Sequence, residues 1–186
     1  MTQVEEVIAF WREVGPDGWY RGDAALDQKV RARFEGLWRA ARDGACADWM
    51  GSAEGALALI LVLDQFPRNM FRDAPESFAT DAAALARAQE AIARGHDCQI
   101  APPLRQFFYL PFMHAESLTA QDQGIDLFAA RMPGDNLRHA RAHRAVIARF
   151  GRFPWRNAAL GRVSSPEEQQ FLADGGYAKA LEEQGH

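Results

Sequence analysis

Apolar residues recur at spacings of three and four along almost the whole chain, the mark of helices that bury one face. One stretch shows it plainly. Leu26, Val30, Phe34, Leu37, Trp38 and Ala41 fall on one side of a helix expected over Asp23–Asp43, which Gly44 closes. An earlier helix is expected from Gln3 to Val14, stopped by Gly15-Pro16-Asp17-Gly18. The next begins near Ser52 and is apolar on every face from Ala56 to Leu63, which predicts the buried centre of the fold. Pro67 is expected to end it, because proline lacks a donor and disfavours helix at the preceding residue. Further helices are expected over Thr80–Arg94, over Pro102–Ser117 with a kink at Pro111, and from a cap formed by Thr119 and Asp122 to Met132. Others follow over Asn136–Phe150, briefly after Pro154, and from Ser165-Pro166-Glu167-Glu168, where serine caps, proline opens the first turn and glutamate completes the box. From Gly175 the chain is expected to fray. No linker marks a boundary, so the pattern reads as one all-α domain over residues 1–186, an array of stacked antiparallel helical hairpins.

Composition narrows this only a little. The apolar and charged fractions, 48 % and 25 %, are those of an ordinary globular chain. No apolar run reaches the roughly 18 residues that cross a bilayer, and no signal-peptide pattern opens the chain, so a cytoplasmic location is expected. Cys46 and Cys98 form no CxxC pair and read as small buried hydrophobes. Within a net charge of −4, eight arginines between Arg131 and Arg162 face a single acid, Asp135. Such a split suits either an anion site or internal neutralisation by the acidic remainder. The chain is acidic overall, has two lysines and shows no nucleic-acid-binding signature, so nucleic acid is not an expected partner.

Two places carry unusual chemistry. Asp64 sits on the most apolar helix, where a carboxylate must be paired or neutralised. Arg68, or an arginine of the Arg149–Arg156 segment, is the natural partner, either to fix the turn at Pro67 or to frame a ligand. The second place is Arg149-Phe-Gly-Arg152-Phe-Pro-Trp-Arg156-Asn157. It can present a guanidinium fork to a carboxylate or phosphate, or hold helix C-terminal carbonyls as a structural turn. Its Phe153-Pro154-Trp155-Arg156-Asn157 echoes Phe66-Pro67-Arg68-Asn69. His139 and His143 have metal-ligand spacing but no third local ligand, so no metal and no cofactor are expected. His114 and Glu116 would point about 200° apart on a regular helix.

Asp-Gln-Phe-Pro-Arg-Asn-Met-Phe-Arg at 64–72, Phe-Ala-Thr-Asp at 78–81, Tyr-Leu-Pro-Phe-Met-His-Ala-Glu-Ser at 109–117, and His143 leading into 149–157 resemble the bacterial family catalogued as domain of unknown function 924. Phe10-Trp11, Trp19-Tyr20, Phe34 and Trp49 fit it too. The resemblance implies a tetratricopeptide-like all-α fold and no assigned activity. Two functional expectations follow. One is a binding or scaffold protein that holds a protein segment or small ligand on a concave helical surface. The other is an enzyme or small-anion-binding protein with a pocket of Asp64, Arg68, Asn69, His114, Glu116, His143, Arg152, Arg156 and Asn157.

Overall fold

The computed structural model describes residues 1–185, and no strand occurs among them. The chain divides into two compact units, Met1–Arg72 with Glu76–Pro111, and Asp73–Pro75 with the chain from Phe112 on.

In the first unit α1 spans Gln3–Trp19 and opens on a Thr2–Glu5 capping box. The expected stop at Gly15-Pro16 is instead a kink. Gly15 takes φ 68°, open to glycine, and the helix resumes with Pro16, whose missing donor costs nothing at a new first turn. α2 spans Ala24–Arg42, its first amides capped by Asp23. α3 spans Ala53–Ile60, and every residue from Gly55 to Pro67 is buried, as the apolar run predicts. It packs against α1 and α5 (Asp81–Ala93). Gly55 is required where α3 starts, since a Cβ there would stand 2.1 Å from the Trp49 carbonyl oxygen.

The expected end at Pro67 is a second correction. The helix widens into a π-turn over Leu61–Gln65 and continues as α4, Phe66–Met70. In an α register the Leu63 carbonyl would accept from residue 67, and proline has no hydrogen to give. The Thr80 hydroxyl takes that place at 2.5 Å, and itself accepts from Trp38 Nε1 at 3.2 Å. The Asp64 carbonyl accepts from Arg68 at 2.5 Å. With the opened carbonyls served by side chains, the turn persists through proline. Trp11, Trp19, Phe34, Phe66 and Phe107 interlock around this segment, mostly edge to face.

The single helix expected over Pro102–Ser117 is two pieces, a 3-10 turn at Leu104–Phe108 and α6, Leu110–His114, with Pro111 in its first turn rather than at a kink. In the second unit α7, Leu118–Arg131, is capped by Ser117, not by Thr119 or Asp122. It packs on α8, Asp135–Phe150, which ends on left-handed Gly151. α9, Pro166–Ala173, carries the expected capping box. Beyond Gly175, where fraying was expected, α10 spans Tyr177–Glu182 and packs on α8, with Ala180 in a cluster around Val146, Ile147, Phe153 and Phe171. Cys46 is buried, but Cys98 is exposed rather than buried, because the turn after α5 turns it outward beside buried Asp97.

Candidate functional site

The nine residues singled out in the sequence fall into two clusters, one in each unit. Asp64, Arg68 and Asn69 belong to the first. Asp64 is 2 % exposed on the π-turn, 3.3 Å from Arg68, whose other nitrogen reaches Asp81 at 2.9 Å. Burial alone would lower the Arg68 pKa, but Asp64 and Asp81 outweigh it and hold the guanidinium charged. Asn69 donates to Asp27 at 2.9 Å and accepts from Gln65. Asp27 also accepts from Nε and Nη2 of Arg72. Tyr20 donates to the buried Gln106 side chain at 2.5 Å, and desolvation together with Asp64 pushes its hydroxyl well above the usual range.

His114, Glu116, His143, Arg152, Arg156 and Asn157 belong to the second unit. Glu116 lies just beyond the end of α6, so the helical angle between it and His114 does not apply. It accepts from Arg162 at 2.7 and 2.9 Å and from the Phe153 amide at 2.8 Å. Burial would raise its pKa; those bonds overcome burial and lower it. Arg152 grips Glu168 with two nitrogens, at 2.7 and 2.8 Å. Glu168 also accepts from the Ser165 amide and from Asn157. The Arg152 hydrogen bonds hold it down at about 2. Arg156 donates to the His114 carbonyl at 2.9 Å and lies 4.6 Å over the Phe153 ring. His143 Nδ1 donates to the His139 carbonyl at 2.9 Å, which fixes the tautomer. Its ring is set among Phe153, Trp155 and Tyr177, and burial pushes it down to about 3, so it stays neutral.

The echoed motifs thus do the same work twice. In each, a buried phenylalanine precedes proline, an arginine donates to a backbone carbonyl (of the π-turn in one, of the end of α6 in the other), and an asparagine donates to a carboxylate already forked by a second arginine. Four of the eight arginines in this stretch pair with acids of their own unit, Arg144 with Asp122, Arg149 with Glu167, Arg152 with Glu168 and Arg162 with Glu116. Among the described residues no group of three or more His, Cys, Asp or Glu is placed to hold a metal ion. No helix there is long and apolar enough to cross a membrane.

Concave surface in the first unit lies elsewhere. Two cavities, about 270 and 620 Å³, share Arg12 and Glu54 and so form one groove along α1. Ile8, Trp19, Ile100 and Leu104 give it a largely buried apolar floor, and Pro16, Pro102 and Pro103 form exposed walls. Arg12 and Glu54 are exposed and make no ion pair or side-chain hydrogen bond among the described residues. Pattern reading passes over them, because isolated surface charges are ordinary and nothing local sets these two apart.

Known proteins add no chemistry. No curated protein matches the chain. A solved structure of a protein of unknown function from Agrobacterium tumefaciens is similar, at 46 % identity and a TM-score of 0.90, covering 92 % of this chain and 97 % of that one. Residues 7–176 match the family described as bacterial protein of unknown function, DUF924, and the chain belongs to that family.

Proposed function

We propose that the protein is a cytoplasmic binding scaffold of tetratricopeptide-like kind, acting as one domain, that holds an extended polypeptide segment in the α1 groove. The charged motifs support a scaffold role, because their arginines and carboxylates are engaged with one another inside each unit. The observation that carries the reading is the groove itself. From Glu5 to Arg12 it follows the straight turns of α1 for about 10 Å at 1.5 Å per residue, room for about three extended residues, and it continues past the Gly15 kink beside Pro16 and Trp19. That shape suits a strand of peptide better than a compact metabolite. Its apolar floor offers side-chain subsites, and unpaired Arg12 and Glu54 offer one donor and one acceptor to a passing backbone.

The test is selection from a random peptide library displayed on phage, followed by titration of the best synthetic peptide. Ala9 and Ala101 line the groove and are exposed, so Ala9→Trp and Ala101→Trp plug it without entering the core. Each plug should weaken the peptide at least about tenfold. A selection that enriches nothing, or a peptide indifferent to both plugs, would overturn the proposal.

A further inference from the structure

Another flank of α1 borders a separate cavity of about 440 Å³, within the range of small-ligand sites. Phe10, Val14 and Leu26 make its apolar floor. Arg33 lines it too, fixed by stacking 4.8 Å over Phe10 and by pairing with Glu6 at 2.9 Å. Asp23, at the edge, is committed to capping α2 through the Ala25 and Leu26 amides. Glu13 and Lys29 are different. Both are exposed, both line the cavity, and neither forms an ion pair or side-chain hydrogen bond with the other or with any described residue.

Opposite charges that share a cavity with an apolar floor and charged rim, without meeting, are complementary to a ligand carrying both charges on an apolar body. A dipeptide is such a body. Fully extended, its ammonium and carboxylate stand about 7 Å apart. Lys29 and Arg33 are four residues apart on α2, so Lys29 offers one carboxylate an unpaired cation while Arg33, whose Nη2 is held by Glu6, keeps its other guanidinium donors over the same turn. We infer that this cavity binds a dipeptide with apolar side chains, its carboxylate on Lys29 and Arg33 and its ammonium on Glu13. Charge at both termini is what this site reads; apolar side chains fill the floor between them.

The experiment is an amide-resolved NMR titration of the full chain with Leu-Leu, N-acetyl-Leu-Leu and Leu-Leu amide. Leu-Leu should shift the amides of Glu13, Val14, Leu26 and Lys29. Capping either end should weaken binding at least about tenfold. Glu13→Gln should reproduce the loss caused by acetylation and make acetylation itself nearly silent. Lys29→Gln should do the same for amidation. Both side chains are exposed, and the spectra themselves report whether the variants fold. The inference is overturned if Leu-Leu shifts nothing, if the capped forms bind equally well, or if the shifts fall on Ile100 and Leu104 instead. Ala9→Trp and Ala101→Trp should leave Leu-Leu binding unchanged, so this site and the polypeptide groove fail independently.

Discussion

Replacing Glu168 with glutamine keeps the shape of one side chain and removes the charge on which the second unit's motif converges. The carboxylate is 3 % exposed and accepts from Arg152 Nε and Nη2, from the Ser165 amide and from Asn157. Those partners lower it from 4.5 to about 2, the Arg152 bonds first. Converted in full, that preference for the charged form is worth about 3 kcal/mol. Arg152 keeps 32 % of its side-chain surface in water, and solvent screens part of the pair, so about 2 kcal/mol is the expected share. Glu168→Gln should therefore lose about 2 kcal/mol in urea denaturation at pH 7. The sign with pH follows from the lowered value. The contribution is complete above the unfolded glutamate's pKa near 4.5 and is lost as pH falls through the folded value of about 2. Wild type and variant should thus converge between those limits, with the wild type doing the falling. A variant within 0.5 kcal/mol of wild type at pH 7, by the roughly 0.5 kcal/mol tolerance of surface changes, would refute the assignment of a stabilising role.

Three further perturbations probe other parts of the structure. Gly55→Ala drives a Cβ to 2.1 Å from the Trp49 carbonyl and 2.9 Å from Ser52 Oγ, so thermal melts should show a loss of about 3 kcal/mol or no folded protein. His143, lowered by burial to about 3 in the folded chain, is neutral there while the unfolded chain protonates near 6.5; its stabilisation is complete above that and is lost as pH falls toward 3. Its ring protons should keep neutral NMR shifts at pH 5, and a protonated shift there would contradict the burial. Arg156→Ala leaves the His114 carbonyl without its donor and uncovers the Phe153 ring, so it should destabilise by about 2 kcal/mol in a thermal melt, and a variant as stable as wild type would count against a structural arginine.

What the sequence disclosed, and what it hid, divides by the range of the interaction. Helix starts at Asp23 and Ser165 and the stop at Gly151 are set by neighbours within four residues, and pattern reading finds them. The apolar run that buries Gly55–Pro67 is equally local, since a helix without a polar face has nowhere to go but inward. Pro67 misleads in the sequence because its consequence is decided elsewhere. The carbonyl it leaves unserved is capped by Thr80, and Thr80 is steadied by Trp38 from another helix. Proline ends a helix only when the opened acceptors find nothing better, and here they do. The kink at Gly15 follows the same logic with a local cause, a left-handed glycine that lets Pro16 open a fresh turn. The echoed Phe-Pro motifs were legible as an echo, and Asp64 with Arg68 as a pair four residues apart. Their purpose was not, because the carboxylates that anchor the two asparagines, Asp27 and Glu168, lie 42 residues before one and 11 after the other. The groove along α1 lies further still from pattern reading. Arg12 and Glu54 are informative because they lack partners, and a missing partner is a property of the folded surface. Residues that complete the fold announce themselves by breaking a local rule. On the groove reading proposed above, Arg12 and Glu54 break none, which is why the Ala9→Trp and Ala101→Trp plugs, rather than changes to the motif arginines, put that reading to the test.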